Sequence, residues 1–106
     1  MERETREPTW GDPTCREIRR DAAQADIRAD HHHVNTAYMR DDMNVIFPLQ
    51  RFAELEAERV IGRFAPTSYS YYGFQMNPEA LLRDHLPAVV SRMRQEGVDA
   101  VLLTPA

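Results

Sequence analysis

The sequence predicts an α/β fold: a small three-layer, flavodoxin-like parallel sheet, incomplete, with a long polar N-terminal arm. Three observations predict it. From Val45 onward the apolar pattern changes in the order helix, strand, helix, strand. The last of these segments, Val98-Asp99-Ala100-Val101-Leu102-Leu103-Thr104, is a nearly continuous apolar run, as in a strand buried on both faces of a parallel sheet. Up to Met43, by contrast, the chain is polar and sustains neither the helical nor the strand period. The expected organisation is a single domain, with residues 1–44 as arm or loop and 45–106 as the α/β core.

Within the arm, Trp10-Gly11-Asp12-Pro13 is a turn signal, because Gly relaxes the backbone and Pro13 restrains Asp12 to extended conformations. A short helix is expected from Asp21 to Ala29. In the core, Phe47, Phe52, Leu55, Val60 and Ile61 fall roughly on one face of a helix opened by Pro48 and closed by Gly62. Thr67 to Phe74 is short and rich in β-formers and reads as a strand. Asn77-Pro78 suits an N-cap and first helical position. The helix that follows, to about Gln95, carries a stripe of Leu81, Leu82, His85, Val89, Val90 and Met93, with a kink expected at Pro87 and a stop at Gly97.

Composition narrows the function classes. A chain of 106 residues has room for one small domain and buries only about 60–65% of its unfolded surface, so a partner or a second copy covering its apolar faces is expected. The net charge of −4 disfavours a broad nucleic-acid footprint. The longest uncharged run, Phe64 to Pro78, is too short and too polar for a membrane span. The mixed-charge start fits neither a secretory signal nor a transit peptide, so a cytoplasmic address is expected. All 13 basic residues are arginine, which excludes Schiff-base or lysine-nucleophile chemistry by a side chain of this polypeptide. The single cysteine, Cys15, excludes an internal disulfide and a dithiol mechanism within the chain; its neighbour Arg16 would favour a thiolate.

Four places carry candidate chemistry, each beside a plainer reading. In His31-His32-His33, an extended backbone lets only His31 and His33 share one metal ion, with Asp30, Asp41, Asp42 or His85 completing the set; the alternative is a solvated or substrate-facing cluster. Asp42 and Asn44 either cap the helix that follows or orient a polar ligand. Tyr69 and Ser70, in Tyr69-Ser70-Tyr71-Tyr72-Gly73, either pack as part of the core or offer hydroxyls to a ligand, with Gly73 allowing close backbone approach. The ligand-binding set is therefore His31, His33, Asp42, Asn44, Tyr69 and Ser70, the metal set His31 and His33, and no residue receives a catalytic step. No particular cofactor follows from these residues.

Gly11-Asp12-Pro13-Thr14 with Arg16-Glu17-Ile18, the His31/His33 segment, Asp42-Met43-Asn44-Val45-Ile46-Phe47-Pro48-Leu49, Ile61-Gly62 with Ala65-Pro66, Tyr69-Ser70-Tyr71-Tyr72-Gly73, and Gly97 through Pro105 occur in one order over nearly the whole chain after Trp10. In this the chain resembles the selenoprotein B family of glycine, sarcosine, betaine and D-proline reductases. The resemblance implies an α/β redox fold in which substrate bound to a partner subunit is reductively cleaved by a selenocysteine or cysteine thiolate. It also implies that His31, His33, Asp42, Asn44, Tyr69 and Ser70 line the pocket. Two features depart from the family. Only ten mostly polar residues precede Gly11, where members have a strand and loop, and the U-x-x-C or C-x-x-C motif expected after Val98 to Pro105 is not in the chain. A selenocysteine codon read as a stop would give such an ending, as would a truncated, repurposed subunit. The expected function is thus a reductase component, catalytically incomplete in these residues, for a small amino-acid-type substrate. The alternatives are a non-catalytic small subunit of a larger enzyme and a His-based metal- or ligand-binding protein; a protein partner or a homodimer is expected, without nucleic acid or membrane.

Overall fold

The computed structural model describes residues 14–29, 35–73 and 75–105. It is a mixed α/β structure with one small sheet. Strand β1 (Cys15–Arg19) pairs with β2 (Thr67–Tyr71) in a two-stranded antiparallel sheet, and the bond from the Arg20 N–H to the Pro66 carbonyl (2.9 Å) continues the pairing beyond both strands. The helices are α1 (Ala37–Asp41), α2 (Leu49–Ala57) and α3 (Leu86–Gln95), the last preceded by a π-helical turn over Leu81–His85. Single 3₁₀ turns occupy Gln24–Asp26 and Met43–Val45.

By its internal contacts the chain divides into two units, and the division falls within both strands. The unit formed by residues 19–67 and 102–106 holds α1, α2 and most of the buried apolar side chains: Met39, Met43, Leu49 and Phe64. Both α1 and α2 pack on the Met43–Val45 turn, so the turn with the fully buried Met43 is the hub of this unit. The inward positions of α2 are Leu49, Phe52, Ala53, Leu55 and Glu56, which recur at the three- and four-residue spacing of one helical face, and Gln50, Arg51 and Glu54 point outward. Phe52 meets Phe64 with ring centroids 5.3 Å apart. The other unit, residues 1–18 and 68–101, holds most of both strands, the π turn and α3, with Leu81 buried.

Several element expectations change. The helix of residues 21–29 is reduced to the 3₁₀ turn Gln24–Asp26. Residues 15–19, expected to be arm, form β1. The helix after Pro48 ends at Ala57, so Val60 and Ile61 lie beyond it, and its stop is Arg59 rather than Gly62. Arg59 has φ 61°, its N–H donates to the Glu56 carbonyl (3.1 Å), and the Val60 N–H donates to the Leu55 carbonyl (2.9 Å). This is a Schellman end built on a non-glycine residue. The same motif closes α3 on Gly97, as expected: Gly97 has φ 73°, and the Val98 N–H donates to the Met93 carbonyl (3.0 Å). Left-handed backbone costs an L-residue about 1 kcal/mol. Arg59→Gly is therefore expected to stabilise the protein by about 0.5–1 kcal/mol, measured by urea denaturation, whereas Arg59→Ala, which keeps a Cβ in the left-handed backbone, gives no such gain.

The kink expected at Pro87 takes the form of the π turn. Pro87 has no N–H for the carbonyl four residues before it and its ring crowds that carbonyl. The backbone widens ahead of it, and the Leu86 N–H bonds to the Leu81 carbonyl five residues back. Asn77 opens this helix as expected, its side chain accepting from the Glu79 N–H at 3.2 Å.

The largest correction concerns the sheet. Val98 to Thr104 forms no strand, and Val101, Leu102 and Leu103 are exposed, Leu103 by 70%. A strand requires neighbours for its N–H and C=O groups, and among the described residues none is paired with this run. The only sheet among the described residues is antiparallel, so the flavodoxin-like parallel sheet is not what they build.

Candidate functional site

Two polar clusters contain the described candidate residues, one in each unit. The first lies between α1 and α2. Asp42 caps the 3₁₀ turn, its Oδ1 accepting from the Asn44 N–H (3.0 Å) and from Asn44 Nδ2 (2.8 Å). These bonds, the backbone one first, hold the Asp42 carboxyl below the usual range. Asn44 Oδ1 in turn accepts from the N–H groups of Gln50 (3.2 Å) and Arg51 (3.3 Å), and Asn44 Nδ2 also donates to Gln50 Oε1 (2.9 Å). Pro48 precedes α2 and has no side-chain acceptor, so Asn44 reaches forward to satisfy two first-turn amides that Pro48 cannot.

Both acceptor lone pairs and both N–H donors of Asn44 are thus used within the protein. Here the capping alternative is the arrangement seen. Asn44→Ala is expected to cost about 1–2 kcal/mol in chemical denaturation. Asn44→Asp, which keeps the acceptor but sets a carboxylate against Asp42, should recover only part of the loss.

The second cluster lies on the strands and α3. Tyr69 and Ser70 are adjacent in β2 and half-buried. The Tyr69 hydroxyl oxygen is buried and has no hydrogen-bond partner among the described residues. Burial pushes its pKa up, Arg92 opposes this, and Glu96, Glu17 and Cys15 add to it. Arg92 of α3 pairs with Glu17 of β1 and approaches Glu96 Oε1 at 3.7 Å. A buried hydroxyl without a partner loses the water it had in the unfolded chain. Tyr69→Phe is therefore expected to leave stability within about 0.5 kcal/mol or to raise it by up to about 1 kcal/mol, by thermal and urea unfolding. A loss beyond 1 kcal/mol would show that the hydroxyl has a partner in solution.

Cys15 belongs to the same cluster, and its environment reverses the thiolate expectation. Burial pushes the thiol pKa up and Glu17 adds to the shift, so Cys15 is held as the thiol.

His31 and His33 lie outside the described residues, so the metal set is not placed. Among the described residues no three or more His, Cys, Asp and Glu side chains are grouped to hold an ion. No helix of the described residues is long and apolar enough to cross a membrane.

The strongest polar feature was invisible in the sequence. Arg20, just after β1, grips Glu56 of α2 in a two-pronged pair: Nη2 to Oε1 at 2.5 Å and Nη1 to Oε2 at 2.9 Å. Arg20 Nη1 also donates to the Phe64 carbonyl (2.7 Å), Glu56 Oε2 accepts the Phe64 N–H (2.6 Å), and the guanidinium carbon stands 5.3 Å from the Phe64 ring centroid. The partners are 36 residues apart, beyond any periodicity signal. Glu56 sits seven residues after Leu49, on the inward face of α2, and a carboxylate at such a position is the one local hint that a cation is waiting there.

Comparison with known proteins supplies the context. No solved structure matches the chain. D-proline reductase subunit gamma of Acetoanaerobium sticklandii is 30% identical over 94 residues, which are 89% of this chain and 39% of that protein, so the chain spans about two-fifths of its relative's length. The family model described as glycine/sarcosine/betaine reductase selenoprotein B matches residues 8–106. By a match over nearly its full length, the chain belongs to the glycine/sarcosine/betaine reductase selenoprotein B family.

Proposed function

We propose that the chain is a component of a selenoprotein-B-type reductase that acts in the reductive cleavage of a small amino-acid-type substrate, in the cytoplasm and together with a protein partner. The observation that carries this reading is the family match over residues 8–106. That the relative is a subunit of D-proline reductase supports a small amino acid as substrate and a protein partner. The redox chalcogen is supplied from outside these residues. In support, the single cysteine, Cys15, is half-buried and held as the thiol, the wrong form for a nucleophile. The chain contributes framework and pocket wall. In this reading His31, His33, Tyr69 and Ser70 are ligand-binding residues, and Asp42 and Asn44 serve ligand binding by holding the start of α2.

The finer fold reading belongs here as well. Val98 to Thr104 takes its place as a buried strand of a parallel, flavodoxin-like sheet when further strands pair with it. Its exposed Val101, Leu102 and Leu103 support this, since a solvated run of large apolar side chains is what a missing neighbour leaves behind.

The test is purification of the native protein through a tag on this chain, followed by an assay of substrate-dependent consumption of a dithiol reductant. Glycine, sarcosine, betaine and D-proline are offered in turn. The native assembly is expected to oxidise the reductant with one of the four, and the recombinant 106-residue chain alone with none. A native assembly that is inactive with all four and carries no reactive selenol or thiol overturns the reading.

A further inference from the structure

The π turn and α3 carry an apolar stripe that the described residues leave largely uncovered, with Leu86 half-buried at its middle. Leu82 is 58% exposed and Val90 45%, and Leu86 lies between them; with Pro87 and Ser91 they line one open groove that ends at Arg94. The wider turn at residues 81–85 is what aligns the stripe, because a π turn advances more than four residues and so brings Leu82 over Leu86 and Val90. The two ends of the stripe are charged with opposite sign. Glu79 stands one turn before Leu82 and Arg94 one turn after Val90, both are exposed, and among the described residues neither side chain has an ion-pair partner.

This pattern is self-complementary. From Glu79 to Arg94 the helix rises roughly 21 Å, taking about 1.4 Å per residue over an α-helix with one π turn, and Leu86 lies close to the midpoint. Two such helices laid antiparallel about a two-fold axis at Leu86 bring Leu86 against Leu86, Leu82 against Val90, and Glu79 against Arg94 at both ends. A parallel arrangement would instead oppose Glu79 with Glu79 and Arg94 with Arg94, so the charges select the antiparallel pair. We infer that this face is the interface of a homodimer whose occupant is a second copy of the same chain. The inference stands on α3 and does not depend on the reductase reading. The stripe is short, and the dimer is expected in the micromolar range of concentration, which the titration below measures.

The test is sedimentation velocity of the full chain from about 5 to 500 μM, with far-UV circular dichroism and thermal unfolding as checks that each variant folds. Wild type is expected to pass from monomer to dimer over this range. Leu86→Glu should remain monomeric with an unchanged fold. Glu79→Arg and Arg94→Glu should each weaken the dimer about tenfold, through like charges set at both ends. The double variant E79R/R94E restores both ion pairs with reversed sign and should return to within about threefold of wild type. Rescue by the double variant cannot arise from a fault in folding. A chain monomeric at 500 μM, a dimer indifferent to Leu86→Glu, or a double variant weaker than either single one overturns the inference. A face that binds a different protein and leaves the dimer untouched by Leu86→Glu overturns it equally.

Discussion

Met43→Ala is expected to lower the unfolding free energy by about 2–4 kcal/mol, the largest loss for a single apolar truncation among the described residues. Met43 has no exposed surface, and the Met43–Val45 turn that carries it is packed on by both α1 and α2. Truncation removes three heavy atoms and leaves a cavity in the turn on which both helices pack. The turn cannot collapse to fill it, because Asp42 and Asn44 anchor its backbone and the Gln24 Oε1 accepts the Met43 N–H at 3.3 Å. For a domain of this size the urea midpoint should fall by roughly 2 M. Val45→Ala in the same turn, at a side chain 60% exposed, is expected to stay within about 0.5 kcal/mol of wild type. Equal effects of the two truncations would mean that the turn is not the hub of its unit.

How much of this was legible in the sequence depends on how far apart the cooperating residues stand. Local signals were readable: Asn77-Pro78 before a helix, Gly97 after it, the β-forming run at Thr67, and the possibility that Asp42 and Asn44 cap. Each depends on residues within a few positions of one another. The stop at Arg59 was not readable, because a charged residue in left-handed backbone has no composition signal and Gly62 nearby offered a better-looking one. Strand β1 was hidden by its own chemistry, since Cys-Arg-Glu-Ile-Arg has one large apolar residue and takes its structure from pairing with β2.

The run from Val98 to Thr104 is the opposite case. Its apolar character states that burial is favourable but says nothing of whether a neighbouring strand exists to satisfy the backbone. The family likeness could be read from ordered short motifs, while the site could be read only as a set of polar residues with two uses each. For Asn44 the decisive fact was that its four hydrogen-bonding positions are filled, and that is a property of space rather than of spacing.

The Arg20–Glu56 brace predicts how the protein responds to acid. Two Arg20 bonds and the Phe64 N–H, with the guanidinium charge behind them, lower the Glu56 pKa from 4.5 to about 2. In the unfolded chain the carboxyl binds a proton near its ordinary value, so between pH 4.5 and about 2 the unfolded state holds more protons than the folded one. The contribution of Glu56 is therefore fully present above pH 4.5 and is lost as the pH falls towards 2. Glu56→Gln keeps the shape and one acceptor but abolishes the charge and turns an N–H donor towards the guanidinium. Its Tm at pH 7 is expected to fall by something on the order of 5 °C. The gap between wild type and Glu56→Gln should then close as the pH is lowered from 4.5 to 2, because the wild type loses what the variant never had. Asp21→Asn is the control: Asp21 is paired with Arg19 at 2.9 Å, but both side chains are mostly exposed, so its effect should be small and should fade in salt. A gap that stays constant across this pH range would mean that the fold gains nothing from the charge on Glu56, and that the brace serves only to position the chain around Phe64.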